Sequence, residues 1–141
     1  MIASFLFVGY LPAAPGTWGS LAGALWAWYF PSMHLFSTVV FSILGLAVCA
    51  PARRVFRSDD PKLFVMDEVS GMLISLLWLP RTFAWYAASF FLFRVFDVLK
   101  PGPIGAIQKN RAPWSIMGDD MLAGVLVNLA LHSIQILFKL P

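Results

Sequence analysis

The sequence predicts an all-α integral membrane bundle of about five helices, folded as one domain over residues 1–141. Three observations predict it. Hydrophobic residues make up 60% of the chain and charged residues only 12%, about half the charged share of an ordinary soluble domain. Such a chain has too little polar surface to cover itself in water, and it suits a bilayer, where a helix satisfies its own backbone. The apolar residues fall in five stretches, four of them closed by a proline. All seven acidic residues gather on one side of the bundle that these stretches imply.

The first stretch runs from about Trp18 to Phe30 and stops at Pro31. The second runs from about His34 to Ala50 and stops at Pro51. The third, Asp67 to Leu79, stops at Pro80. The fourth, Phe83 to Leu99, stops at Pro101. The fifth starts at Asp119 and runs to about Phe138. Proline ends a helix because it lacks an N–H and its ring clashes with the preceding turn. A spanning helix needs about 20 apolar residues, with about 17 as a lower limit. The second, fourth and fifth stretches meet or approach that length. The first and third are short and are expected to be partly embedded or enclosed in the bundle. Met1 to Leu11 is apolar, but it has no basic n-region and ends at Pro12, which argues against a signal peptide.

If each stretch crosses, or enters and turns back, the connections alternate between two sides. One side carries Arg53, Arg54, Arg57, Lys62, Lys100, Lys109 and Arg111; the other carries Arg81 and Lys139. The excess of Lys and Arg puts the first side in the cytoplasm. Trp26, Trp28, Tyr29, Trp78, Trp85 and Tyr86 cluster near the turns of the second side, as an interfacial belt would.

Asp59, Asp60, Asp67, Glu68, Asp97, Asp119 and Asp120 all lie in or beside connections of the cytoplasmic side. A carboxylate in a membrane segment costs roughly 2.5–3.5 kcal/mol, and a divalent cation is a common compensation for a cluster of them. Asp67 and Glu68 open the third stretch, and Asp119 and Asp120 open the fifth. Acids in a first turn also suit the helix dipole, but two such pairs on one side ask for more. Gly71 and Gly124 each follow an acid by four residues. They would lie under the acids on the same face and let two helices approach closely, which would bring the two pairs together. Asp97 has Arg94 three residues before it and Lys100 three after. The three form either a local ion-pair ladder, or a metal ligand flanked by two cations that hold an anion. Hard oxygen donors without nearby His or Cys favour Mg²⁺. The Pro15-Gly16-Thr17-Trp18-Gly19-Ser20 segment leads into the first helix. Beside a metal site it points to phosphate bound by backbone N–H groups, against the plainer reading of Thr17 or Ser20 as an N-cap.

Other chemistries find no support. The position six residues after Cys49 is Val55, not the Arg of a cysteine phosphatase. His34 and His132 sit in apolar stretches near no other motif, and His132 reads as a packed residue. There is no Gly-x-Ser-x-Gly elbow, no Walker loop, and no basic stripe for nucleic acid. A carboxylate-bound Mg²⁺ acting on water or phosphate remains.

The strings PGTWGS (15–20), DEVSGMLI (67–74), FRVFDVLKPGPI (93–104) and GDDMLAG (118–124), with Asp60-Pro61 before the second, resemble the motifs of the phosphatidylglycerophosphatase A family. The likeness covers nearly the whole chain. It implies an all-α, Mg²⁺-dependent lipid phosphatase of the bacterial inner membrane that hydrolyses phosphatidylglycerophosphate to phosphatidylglycerol and phosphate. By motif position Asp67, Glu68, Asp97, Asp119 and Asp120 become the candidate metal and catalytic acids, with Asp67, Glu68, Asp119 and Asp120 expected to hold the metal and Asp97 to serve as a further ligand or as general base. The likeness assigns catalysis to Asp97, Asp120, Arg94 and Lys100, and phosphate binding to Arg94, Lys100, Thr17 and Ser20. Two departures stand out: almost no extension before the first motif, and Arg111-Ala112-Pro113-Trp114-Ser115 where many members have a glycine-rich run. The second bears on loop motion more than on chemistry. Attack by water and an aspartyl-phosphate route both stay open. A headgroup transferase and a small ion transporter are the rival readings. The first would need a nucleotide-lipid substrate, and the second would place acids at mid-membrane depth.

Overall fold

A computed structural model describes residues 4–11, 14–56, 63–109 and 112–139. Among these there are six α-helices and no strand: α1 Pro15–Tyr29, α2 His34–Phe56, α3 Met66–Ser75, α4 Phe83–Leu99, α5 Pro103–Lys109 and α6 Ser115–Leu137. Single 3-10 turns lie at Val8–Tyr10 and Pro31–Met33. Asp59, Asp60, Arg57, Lys62 and Arg111 fall outside the described residues.

The all-helical fold is as predicted, with boundaries of α1, α2, α3 and α6 corrected, α3 ending at Ser75 and not at Leu79, and one helix added. α1 begins at Pro15, so the PGTWGS segment forms its first turns and is not a loop leading into it. Proline at the first helical position loses nothing, because its N–H would be unpaired there. α2 continues through Pro51 to Phe56. Pro51 is exposed and forfeits one N–H, while Ala52, 5% exposed, ties the last turn to the core. α6 begins at Ser115, so Asp119 and Asp120 occupy its second turn and no acid lies in its first. The dipole of α6 therefore does not account for that pair. α5, seven residues between prolines, was not foreseen.

α3 is the hub. It packs against α1, α2, α4 and α6, and eight of its ten residues are buried. The helices alternate in direction around it. His34, at the start of α2, reaches Leu73 near the end of α3, while Gly45 further along α2 lies against Met66 and Met117. At ten residues α3 is about 15 Å long, half a bilayer core, so its C-terminal carbonyls end inside the bundle. Side chains of the neighbouring helices meet them. Asn128 Nδ2 donates to the carbonyls of Ser75 (3.1 Å) and Leu77 (2.8 Å). His132 Nε2 approaches Leu77 O at 3.1 Å and His34 Nε2 approaches Leu73 O at 2.9 Å. Ser75 and Ser89 pair through their hydroxyls at 2.8 Å. His132 is thus a packed residue, as its sequence setting suggested.

Among the described residues two helices are long and apolar enough to cross a membrane: Pro31–Ala52, mean hydropathy 2.1, and Ser115–Leu137, mean hydropathy 1.5. α4, at 17 residues, stops just short of such a length. The outer surface of the bundle is apolar, with Phe36 70%, Phe91 68% and Ile136 77% exposed, which suits contact with lipid.

α3 and α6 cross where Gly71 faces Gly124. A Cβ on Gly71 would lie 2.5 Å from the Asp120 carbonyl oxygen and 2.6 Å from the Phe93 ring, and one on Gly124 would overlap the Gly71 carbonyl. The obstructing atoms are largely backbone and cannot move cheaply. Gly124→Ala should therefore destabilise by about 1–3 kcal/mol, a fall on the order of 5–10 °C in the melting temperature of the detergent-solubilised protein. Leu129→Ala, at a 58% exposed position of the same helix, should leave it within about 2 °C. Equal melting of the two variants would contradict the tight crossing.

Candidate active site

The crossing sets the site. Asp67 and Glu68 lie in the first turn of α3, where α3 meets the second turn of α6. Asp67, Glu68 and Asp120 each bring a carboxylate oxygen into one group whose atoms all lie within 4.8 Å of one another. Asp119 is the neighbour of Asp120 on a helix, so its side chain leaves about 100° away; it accepts a hydrogen bond from Lys100 Nζ. Arg94 Nη1 donates to Asp97 Oδ2 at 2.5 Å and to Ser20 Oγ at 3.5 Å. Lys100 Nζ lies 3.9 Å from Asp97 Oδ1. The Arg94–Asp97–Lys100 ladder on α4 is therefore formed, and it extends to Asp119 on α6. The end of α4 supplies the reach: Lys100 adopts the left-handed conformation, φ 45°, as the helix C-cap. That conformation is strained for a residue with a Cβ.

α1 contributes space more than donors. Gly16 stands where a Cβ would come within 2.5 Å of Glu68 Oε1 and 3.1 Å of Arg94 Nη1. Its lack of a side chain leaves room for the carboxylate and the guanidinium. Ser20 Oγ donates to the Gly16 carbonyl and receives Arg94, so it is neither an N-cap nor free of the site. Thr17 is partly buried in the same turns, and among the described residues no hydrogen bond joins it to the acids or to Arg94. The role of Gly16 escaped the sequence reading, which took the glycines for N–H donors. The proline before it, a helix-start signal, would have placed Gly16 inside the helix.

The electrostatics are unbalanced. Among the described residues, five carboxylates, those of Asp67, Glu68, Asp97, Asp119 and Asp120, face two cations, Arg94 and Lys100. Burial, then the charges of Glu68 and Asp120, holds the Asp67 carboxyl well above its ordinary 3.8. Burial also raises Glu68, with the Asp97 charge adding to it and Asp67 and Arg94 opposing. Glu68 Oε2 is buried, and no hydrogen-bond partner reaches it among the described residues. Burial alone would lower the Lys100 ammonium. The hydrogen bond and charge of Asp119, with the charges of Asp120 and Asp97, outweigh it, and Lys100 stays above its ordinary value.

These residues are an oxygen-only donor set with excess negative charge and an orphaned acceptor, which fits a hard divalent cation. Beside it stand two cations suited to an anion. Comparison with known proteins places the chain in a family. Phosphatidylglycerophosphatase A of Haemophilus influenzae is 35% identical over 134 residues, covering 90% of this chain and 82% of its own. The Escherichia coli phosphatidylglycerophosphatase A is 38% identical, covering 84% and 72%. A Bacteroides thetaiotaomicron protein provisionally named a phosphatidylinositol-3-phosphatase is 36% identical, covering 83% and 80%. No solved structure matches the chain. The family model described as Phosphatidylglycerophosphatase A matches residues 1–135, a span that takes in every residue of the carboxylate group and its cations; the chain belongs to the phosphatidylglycerophosphatase A family.

Proposed function

We propose that this protein is a Mg²⁺-dependent lipid phosphatase that hydrolyses phosphatidylglycerophosphate to phosphatidylglycerol and inorganic phosphate at the cytoplasmic face of a bacterial inner membrane. The observation that carries the reading is the convergence of Asp67, Glu68 and Asp120 from two helices beside Arg94 and Lys100. The names of the two phosphatidylglycerophosphatases support the headgroup. The Lys and Arg excess on the site's side supports the orientation. The apolar surface and the two long helices support a multi-pass membrane protein.

Asp67, Glu68 and Asp120 hold the ion, and Glu68 Oε2 is the donor with no other partner. Bound there, Mg²⁺ would neutralise charge on the phosphate and lower the pKa of water. Arg94 and Lys100 take the phosphate oxygens, turning from the carboxylates they now pair with. Ser20 steadies Arg94. Asp119 keeps Lys100 charged and aimed. Asp97 Oδ1, the oxygen not bonded to Arg94, accepts the proton of the attacking water. Thr17 lies in the first turn of α1 to meet the headgroup.

The test is phosphate release from phosphatidylglycerophosphate by the purified protein in detergent. It should require Mg²⁺, stop in excess chelator, and vanish in Asp120→Asn. Asp97→Asn should lower kcat by about 10²–10⁴; near-normal turnover would remove Asp97 from this role. Phosphatidylinositol 3-phosphate serves as the comparison substrate. Faster release from it would move the reading to the activity in the Bacteroides protein's name.

The raised carboxyls add a pH test of the metal. Between its ordinary 3.8 and its higher folded value, Asp67 holds a proton when folded that it releases when unfolded. The unfolded state then binds fewer protons, so stability falls as pH rises through that window. Glu68 acts in the same sense. Lys100 stays charged throughout and adds no slope. In chelator the melting temperature should fall further between about pH 5 and pH 8 than it does in Asp67→Asn. Mg²⁺ should restore it most at the higher pH, by about 2.7 kcal/mol at a hundredfold excess over Kd. A Mg²⁺ effect that is absent, or equal at both ends, would count against the carboxylate site.

A further inference from the structure

A second feature shares the two helices that carry Ser20 and Arg94. Between α1 and α4 lies an apolar groove of about 370 Å³, within the range of small-molecule sites. Leu21, Leu25 and Trp28 form one wall, and Phe83, Phe90 and Phe91 the other. Two more lining residues, Ala24 and Ala87, are alanines, and their small size leaves the space open.

The register connects this groove to the site. Ala24 lies four residues beyond Ser20 on α1, and Phe90 lies four residues before Arg94 on α4. Each is one turn from its polar neighbour on the same face. α1 runs away from the Ser20–Arg94 contact and α4 runs toward it, so both walls extend from that contact in one direction. From Leu21 to Tyr29 the groove follows α1 for about 12 Å. It ends at aromatic side chains, where Trp28 meets Tyr86 edge-on at 5.1 Å and Arg81 lies over the Trp28 ring. A cationic head and an apolar body about 12 Å long match a phosphate monoester on an acyl chain. Neither free phosphate nor a soluble headgroup needs such a body.

Resting on the phosphatase reading above, we infer that the α1–α4 groove holds an acyl chain of the lipid substrate while its terminal phosphate meets Arg94. The groove then does more than bound the protein against lipid: it draws a single chain out of the bilayer and sets the depth at which the headgroup presents its phosphate.

The test uses the full chain in detergent and two phospholipids that bear the same diazirine-labelled acyl chain. One is phosphatidic acid, with a terminal phosphate monoester; the other is phosphatidylcholine, without one. Phosphatidic acid should label peptides spanning 21–29 and 83–91 severalfold more than phosphatidylcholine does, and excess unlabelled phosphatidic acid should suppress it. Equal labelling by both lipids would make the groove ordinary lipid-facing surface. A stable dimer whose cross-links map to these peptides would make it a protein interface. Either result overturns the proposal. Turnover gives a second readout. In Ala87→Trp the ratio of kcat/KM for a dioleoyl substrate to that for its dihexanoyl analogue should fall at least fivefold, and an unchanged ratio overturns the proposal. If the wild-type protein hydrolyses neither substrate, the phosphatase reading fails, and the labelling comparison still decides the groove.

Discussion

At Gly71 and Gly124 two helix backbones meet with no side chain between them, and much of the molecule's arrangement follows from that approach. In a bilayer, helices gain little from burying apolar side chains against one another, because lipid tails are equally apolar. Close backbone packing between small residues takes over. Here it brings the first turn of α3 against the second turn of α6, four residues from the glycine in each helix. Carboxylates that would repel at ordinary helix separation are held together by contacts they do not make themselves. Phe93, fully buried, seals the crossing from the α4 side. It is one residue before Arg94, so the same packing sets the cation.

The polar end of the bundle is an arrangement of mutual restraint. Each cation is paired with an acid that does not belong to the three-carboxylate group: Arg94 with Asp97, Lys100 with Asp119. The partners are 13% and 5% exposed, where breaking a pair leaves an uncompensated charge. These pairs hold the cations near the carboxylate group without neutralising it. On the proposed reading that group is left for an incoming ion, and the cations lie close enough to exchange a carboxylate for a phosphate oxygen. The left-handed backbone at Lys100 shows that the chain accepts local strain to keep the ammonium in place.

Much of this was legible in the residues. Proline-bounded apolar runs mark helices because proline and lipid each leave the backbone few choices. The acids Asp67, Glu68, Asp97, Asp119 and Asp120 mark the candidate site because a lone carboxylate in hydrocarbon is costly. The Gly71–Gly124 approach could be read from four-residue spacing alone. Three things could not. The end of α2 was misplaced because a proline that loses one N–H does not stop a helix whose next residue is locked in the core. The start of α6 was misplaced because charge was taken as a boundary, whereas the helix begins four residues earlier at Ser115. The separation of Asp119 from Asp120 was not visible either. Adjacent letters look like one pair, while the helical turn between them sends one to the metal-type group and the other to Lys100.

The short helix at the centre also has a consequence for how the chain is made. The carbonyls at the end of α3 are satisfied by Asn128 and His132, some fifty residues later in the sequence. Until α6 has been synthesised, the Ser75 and Leu77 carbonyls lack these donors and Gly71 has no Gly124 to pack against. The enclosure of Asp67 and Glu68 therefore belongs to the last step of assembly. A ribosome that stops before α6 leaves a chain without Asp120, and so without the three-carboxylate group.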